Sequence, residues 1–163
     1  MKRLAFLVVA ALSQVGVVEA APKMIIQTGD WSVYSYDRNG RPTCYALSVP
    51  KEAKPADVDH GQNYFLIAPA EKGGHSEPEA IMGYDLKAGS TVQVSVGDQT
   101  FRMFTKDKKA WVNDMAREPE LVKAFRAGSR MILEAISARG THTAYTYSLN
   151  GVTAALDRVA LCK

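Results

Sequence analysis

The residues that could do chemistry crowd into one segment near the C-terminal end of the chain, which begins at Ser137. Ser137, His142 and Asp157 carry the three functional groups of a hydrolytic triad. In a triad the base must lie within hydrogen-bond distance of the nucleophile. Five residues of extended strand would separate Ser137 from His142 by about 16 Å. A triad would therefore need a turn at Gly140 to bring the two side chains together.

The same segment also has the alternation of a β-strand, since its threonines and tyrosines favour strands. One face would carry Thr141, Thr143, Tyr145, Tyr147 and Leu149, and the other His142, Ala144, Thr146 and Ser148. Arg139 and Gly140 would form a turn or bulge before the strand, and Asn150 and Gly151 would end it. This pattern favours a closing hairpin arm over an active site.

Two further polar clusters could bind or transfer protons. The DVDH sequence at 57–60 offers carboxylates and an imidazole to a metal, but it lacks the glycine and the distal glutamate of a calcium loop. Glu77 and Glu79 form a carboxylate pair, but acid–base work needs surroundings that separate their pKa values. The sequence contains no phosphate-binding glycine loop and no G-x-S-x-G motif. We expect no catalytic residue, no metal and no cofactor.

The N-terminal residues predict export. Lys2 opens a basic start before an apolar run, and Val18 and Ala20 place small residues at the −3 and −1 positions of a signal-peptidase site. We expect residues 1–20 to be a cleaved signal peptide, because a membrane-spanning helix needs roughly 20 apolar residues. Residues 21–163 are then expected to form a single domain. The formal charge of +3 is too mild to indicate a nucleic-acid partner.

The chain has two cysteines, Cys44 and Cys162. Exported proteins meet an oxidising compartment, where an even pair without metal-ligand spacing indicates a disulfide. The alternative is two unpaired thiols. We expect a Cys44–Cys162 bond, which the chain-entropy model values at about 4–5 kcal/mol as an upper figure.

The elements that must position these residues are mostly short strands. Alternation and apolar runs predict strands over 30–36, 43–49, 63–69, 81–86, 90–96, 99–105, 129–137 and 141–149. Polar loops are expected over 50–62 and 70–80.

One helix is expected between Asn113 and Gly128, with Pro119 in its first turn. Residues 152–159 are compatible with a further helical turn, and Trp111 is expected to anchor the core. Many short strands with one or two short helices indicate an antiparallel sandwich or barrel.

Several of these residues together resemble the invasion-associated locus B family, which consists of small exported proteins of Gram-negative bacteria. The resemblance rests on the strand DWSVYSY, the early Cys44 and the tail SARGTHTAYTYSLNGVTAALDRVALC. The residues that carry it are Trp31, Arg139, Gly140, Tyr147, Ser148, Leu149, Gly151 and Thr153. It implies an all-β fold, an immunoglobulin-like antiparallel β-sandwich, in a periplasmic or outer-surface location, with no known enzymatic activity or cofactor.

Three functions are compatible with these observations. The first is a non-enzymatic interaction or structural module that binds an envelope or host protein. The second is a periplasmic protein that binds a small molecule through tyrosine and tryptophan faces. The third is an envelope hydrolase that uses Ser137 or Ser148 with His142. We expect the first, without nucleic acid and without a stable membrane span.

Overall fold

A computed structural model describes residues 21–38, 40–70 and 76–162, so the expected signal peptide lies outside the described residues. The described residues form eleven strands: β1 (Lys23–Thr28), β2 (Trp31–Arg38), β3 (Arg41–Ser48), β4 (Glu52–Lys54), β5 (Tyr64–Pro69), β6 (Ser76–Ile81), β7 (Thr91–Val96), β8 (Gln99–Lys106), β9 (Lys109–Val112), β10 (Arg130–Ile136) and β11 (His142–Ser148). Two helices accompany them, α1 (Glu118–Ala127) and α2 (Val152–Ala160).

All eleven strands belong to one antiparallel array, in the order β1-β2-β3-β5-β6-β9-β8-β7-β10-β11-β4. The array folds back on itself, so that its two halves face each other as the layers of a sandwich. Phe65 on β5 meets Tyr147 on β11 across the interior, with ring centroids 6.1 Å apart. The two layers are therefore halves of one continuous sheet.

The core follows from strict alternation along the strands. On β10 the side chains of Met131 and Leu133 are fully buried, whereas Ile132 between them is 37% exposed. On β11 the inward positions are taken by Tyr145 and Tyr147, both without exposed surface. Because successive side chains of a strand point to opposite faces, every second residue of a strand contributes to the core and the residues between them face outward.

The two helices pack against the sheet and contact each other. Asp114 caps the short 3₁₀ turn that precedes α1, and a proline occupies the first turn of the helix. Phe125 on α1 packs edge-on against Phe65, with 5.4 Å between ring centroids. Helix α2 buries Val152, Leu156 and other apolar residues of one stripe, and it contacts β1, β2 and β3. Both helices are thus held by amphipathic packing.

The expected fold is confirmed in its all-β class, its antiparallel pairing and its two short helices. The helix ends and the tight β2–β3 and β7–β8 hairpins lie close to their predicted positions. Within the described part of the chain, neither helix has the length and apolar character that crossing a membrane requires.

Three local predictions are wrong. The strand expected over 81–86 is instead β6 at Ser76–Ile81, which lies within the predicted loop 70–80 except for its last residue. Its buried residues are Pro78, a residue type that argues against a strand, and Ala80, which is too small to give a strong apolar signal. The predicted loop 50–62 contains the short strand β4. Trp111 is half-buried and stacks on the exposed Phe104, with 5.6 Å between ring centroids, instead of anchoring the core.

Candidate functional site

Trp31 joins the beginning of β2 to the end of β11. Its side chain is fully buried, and its indole N–H donates to the carbonyl oxygen of Ser148 over 3.0 Å. The neighbouring N–H of Asp30 donates to the carbonyl oxygen of Asn150, also over 3.0 Å. The Ser148 hydroxyl oxygen in turn accepts from the N–H of Asn150 at 3.2 Å. Trp31 and Ser148 therefore connect the two layers.

Gly151 lies where the chain leaves β11 and approaches the end of β1. Its φ is +89°, and a Cβ built on it would overlap the carbonyl oxygen of Thr28. The Thr28 hydroxyl donates to the carbonyl oxygen of Gly151 over 3.0 Å. Leu149, just before this contact, is buried, whereas Thr153 on α2 is exposed. Only glycine combines this backbone conformation with such close contact.

Cys44 and Cys162 form a disulfide that links β3 to the end of α2. The two residues are 118 positions apart in sequence, and their Cα atoms are 5.8 Å apart. Cys44 is 1% exposed and belongs to the core. The bond holds the C-terminal helix against the first strands of the sheet.

A tight turn joins β10 to β11 and places Arg139 at the surface. The N–H of Gly140 donates to the Ser137 carbonyl oxygen at 2.8 Å, and Gly140 has a φ of +88°. The Ser137 hydroxyl oxygen accepts from the N–H of Thr141 at 3.0 Å. Ser137 is 7% exposed, while Arg139 is exposed at the tip.

The three groups of the hydrolase hypothesis are not brought into contact. Ser137 hydrogen-bonds within its own turn, whereas His142 is exposed and lines a groove on the outer face of β7, β10, β11 and β4. Asp157 pairs with Arg126, with 2.8 Å between carboxylate oxygen and guanidinium nitrogen. Ser148 makes the backbone contact at Asn150 instead of meeting an imidazole.

His60 is part of a chain of hydrogen bonds with two tyrosines and a threonine. Its Nδ1 is 2.7 Å from the Tyr145 hydroxyl, and its Nε2 is 2.8 Å from the carbonyl oxygen of Pro55. The hydroxyls of Tyr145 and Tyr84 are 3.1 Å apart, and Tyr84 continues to the Thr143 hydroxyl at 2.6 Å. Burial, followed by the hydrogen bond to Tyr84, raises the pKa of Tyr145. We call this chain the His60 network.

The His60 network forms part of the wall of a cleft of about 450 Å³. This cleft, the Arg139 cleft, is lined by Val58, Asp59, His60, Tyr84, Ser137, Arg139, Thr141 and Thr143. It brings together the loop before β5, the segment between β6 and β7, and the β10–β11 turn. The DVDH and SARG segments of the sequence thus meet at one surface feature.

The other candidate groups have structural contacts. Among the described residues, no three histidine, cysteine, aspartate or glutamate side chains are placed to share a metal ion. Glu79 on β6 pairs with Lys109, with 2.8 Å between the charged atoms, so it does not form an acid–base pair with Glu77. His75 lies outside the described residues.

A cluster of tyrosines lies on the outer face of the first three strands. Tyr34 stacks on Tyr45 with 5.6 Å between ring centroids, and Tyr36 meets Tyr45 edge-on at 5.9 Å. Met24 on β1 is in register with Tyr34 and is 52% exposed. Partial burial, with the neighbouring tyrosines, raises the pKa of Tyr45. These four residues are the tyrosine face.

A second apolar patch lies on β8 and β9. Phe104 stacks on Trp111, and the ammonium of Lys109 is 5.8 Å from the centroid of the indole. Met115 beside them is 69% exposed. This patch is flanked by charged residues and lies at a distance along the sheet order from the tyrosine face.

Neither the His60 network nor the packing of Tyr34, Tyr36 and Tyr45 against one another was predicted from the sequence. The members of the network are far apart in the chain, since 85 positions separate His60 from Tyr145 and 61 separate Tyr84 from Tyr145. No local spacing could connect them. The tyrosine face was detectable in principle, because Tyr34 and Tyr36 alternate on a predicted strand.

A curved antiparallel sheet around one apolar core, closed by a disulfide, defines a small β-sandwich protein of the kind that folds in an oxidising compartment. The chain belongs to the invasion-associated locus B family, since the model of that family, described as invasion associated locus B (IalB) protein, matches residues 31–160.

The fold is also similar to a solved structure. The crystal structure of invasion associated protein B from Bartonella henselae superposes with a TM-score of 0.63 at 16% sequence identity. The alignment covers 87% of this chain and 96% of that one. A comparison with curated proteins finds no match. At this level of identity the similarity shows a shared fold.

Proposed function

We propose that this protein is an exported, non-enzymatic interaction module of the bacterial envelope, which binds an envelope or host protein. Residues 1–20 would direct export and be removed, leaving the domain 21–163 in the periplasm or at the outer surface. Family membership and the disulfide support an exported protein. The observation that carries the proposal is the tyrosine face and its continuation onto β1.

Tyrosine and methionine are enriched at protein interfaces, and tyrosine in particular combines a large contact area with few rotatable bonds. Tyr34, Tyr36 and Tyr45 are only half-buried although they lie at the centre of a three-strand surface. The rings are already packed against one another, so that a partner would meet an ordered surface. Less side-chain freedom is then lost when a partner binds.

Strand β1 extends this surface to the end of the sheet. It is the first strand in the order, and its outer edge has no neighbouring strand among the described residues. Ile25 and Ile26 are 37% and 43% exposed. An exposed apolar edge strand attracts further strands, and many recognition domains bind an extended peptide in this way. We infer that the partner contributes an extended segment to β1 and contacts the tyrosine face.

Site-specific photo-crosslinking in intact cells tests this function. A photoreactive amino acid at Tyr34 or Tyr36 should give a discrete adduct with an envelope or host protein, because these side chains would lie in the interface. The same residue at Gln93, which is exposed on the opposite layer, serves as the control. Adducts only from Phe104 would assign the interface to the second patch, and no adduct from any position would contradict an interaction function.

Substitution then tests strand addition separately. Ile25→Lys should weaken binding of the crosslinked partner at least tenfold, about 1.4 kcal/mol, because a charge on the edge strand opposes pairing. Val49→Lys is the matched control, since Val49 is 45% exposed outside this edge. Equal effects of the two substitutions would rule out pairing at β1.

N-terminal sequencing of the exported protein tests the expected signal peptide, and the first residue found should be Ala21.

A further inference from the structure

The Arg139 cleft has the size and the chemical groups of a small-molecule site. Its volume of about 450 Å³ lies within the range of ligand pockets, roughly 300–1,000 Å³. It is separate from the tyrosine face, because its lining residues come from the segments before β5 and β7 and from the β10–β11 turn. A ligand here would therefore be independent of a protein bound at β1.

One wall of the cleft is already fixed by hydrogen bonds. The imidazole of His60 is held at both ring nitrogens, by Tyr145 and by the carbonyl oxygen of Pro55. Tyr84 is held between Tyr145 and Thr143. Side chains fixed in this way lose little freedom when a ligand binds, and preorganised polar groups give specificity.

Other groups in the cleft have hydrogen-bonding capacity to spare. Among the described residues, the guanidinium of Arg139 has no hydrogen-bond or ion-pair partner. Ser137 accepts the Thr141 N–H, but within that same part of the chain nothing accepts the proton of its own hydroxyl. A guanidinium beside a hydroxyl donor matches a carboxylate, which accepts several hydrogen bonds.

A second charge of opposite sign lines the same cleft. Asp59 uses one carboxylate oxygen to accept the N–H of Gly61 at 2.9 Å. Within the structure's described ranges, it makes no ion pair with Arg139, although both line the cleft. The two charges are therefore separate, and each can meet an opposite charge on a ligand. A simple anion would match Arg139 and be repelled by Asp59.

We propose that the Arg139 cleft binds a small zwitterion of the amino-acid class. The ligand carboxylate lies against Arg139 and the Ser137 hydroxyl, and the ligand ammonium lies against Asp59. The cleft and the ligand each carry one positive and one negative charge, so that binding leaves no net charge uncompensated. Thr141 at the turn provides a further hydroxyl beside the carboxylate.

Calorimetry and thermal melting of the exported protein test this site with the standard free amino acids as probes. At least one should bind and raise Tm, because a ligand that binds only the folded state stabilises it. Two analogues of that amino acid each lack one charge. The N-acetyl derivative lacks the ammonium, and the C-terminal amide of the free amino acid lacks the carboxylate. Both should bind at least tenfold more weakly. An amino-acid panel without any Tm shift, or equal binding of the N-acetyl form, would overturn the proposal.

Variants assign the two charges. Arg139→Gln and Asp59→Asn should each weaken the amino acid at least tenfold, while the circular dichroism spectrum stays unchanged because both side chains are exposed. Arg130→Gln and Asp98→Asn are matched controls at exposed positions outside the cleft and should leave Kd unchanged. If Arg139→Gln binds as the unmodified protein does, the cleft is not the site.

Discussion

Tyr145 and Tyr147 lie two positions apart on the inner face of β11, and neither has exposed surface, yet their hydroxyl groups differ completely. The Tyr145 hydroxyl contacts His60 at 2.7 Å and Tyr84 at 3.1 Å. In the described part of the chain, the Tyr147 hydroxyl has no hydrogen-bond partner. Replacing each by phenylalanine removes the same oxygen from two different surroundings.

The expected changes in the free energy of unfolding follow from hydrogen-bond energetics. Tyr145→Phe loses two contacts and leaves His60 and Tyr84 less well satisfied, which costs about 2 kcal/mol, within the 1–3 kcal/mol range for an unpaired buried group. Tyr147→Phe removes a polar atom that is buried without a partner, so we expect no loss and a gain of up to about 1 kcal/mol. The two variants should therefore differ by about 2–3 kcal/mol.

Equilibrium unfolding in urea measures this difference, with unchanged m-values as the sign that both variants unfold from the same compact state. In thermal melts, 1 kcal/mol corresponds to about 2–4 °C for a domain slightly larger than this one. Equal destabilisation by both substitutions would refute the reasoning, because it would mean that the Tyr147 hydroxyl is satisfied as well as that of Tyr145. The double variant tests independence, since Tyr147 does not contact His60.

Three further predictions concern the disulfide, the turn glycines and alkaline pH. Cys44→Ser and Cys162→Ser should lower stability by similar amounts, and the double variant should cost little more than either; clearly additive losses would contradict a shared bond. Gly140→Ala should cost about 1–2 kcal/mol, because alanine is strained at a positive φ. Gly151→Ala should destabilise clearly more, because its added Cβ would also overlap the backbone of Thr28. Similar urea midpoints for the two variants would disprove the close contact. Burial raises the pKa of Tyr147, so above about pH 10, the usual value in an unfolded chain, this tyrosine loses its proton more readily in the unfolded protein than in the folded one. The free energy of unfolding therefore falls as pH rises further. Tyr147→Phe should flatten that decline in melts between about pH 9 and about 11, and an unchanged slope would exclude Tyr147 as its cause.

The residues that carry the family resemblance act mainly in closing the fold. Trp31 and Ser148 connect the layers, and Gly151 fits against the end of β1. Arg139 differs from them, because it is exposed and without a partner in the described ranges. Because Arg139 does not help to hold the two layers together, it is available to contact another molecule. This is the role that we propose for it in the cleft.

Period-two alternation made most of the strands predictable. In β7 and β11 the apolar or aromatic residues recur at every second position, and both strands bury that face. The pattern failed at β6, whose buried residues are Pro78 and Ala80, because a proline argues against a strand and an alanine produces little hydrophobic contrast. It also failed at β1, where the exposed Met24 and Ile26 break the alternation of a half-buried strand.

The all-β antiparallel class, the α1 helix and the strand that follows Gly140 are predictable from the sequence, because they depend on local periodicity and on turn residues. Contacts between residues of distant segments depend instead on how the strands are arranged in three dimensions. His60 joins Tyr145, and Arg139 shares a cleft with Asp59, through the folding-back of one continuous sheet. The sheet folds back because its two halves pack against each other over their whole length, and a short stretch of sequence cannot predict such long-range packing.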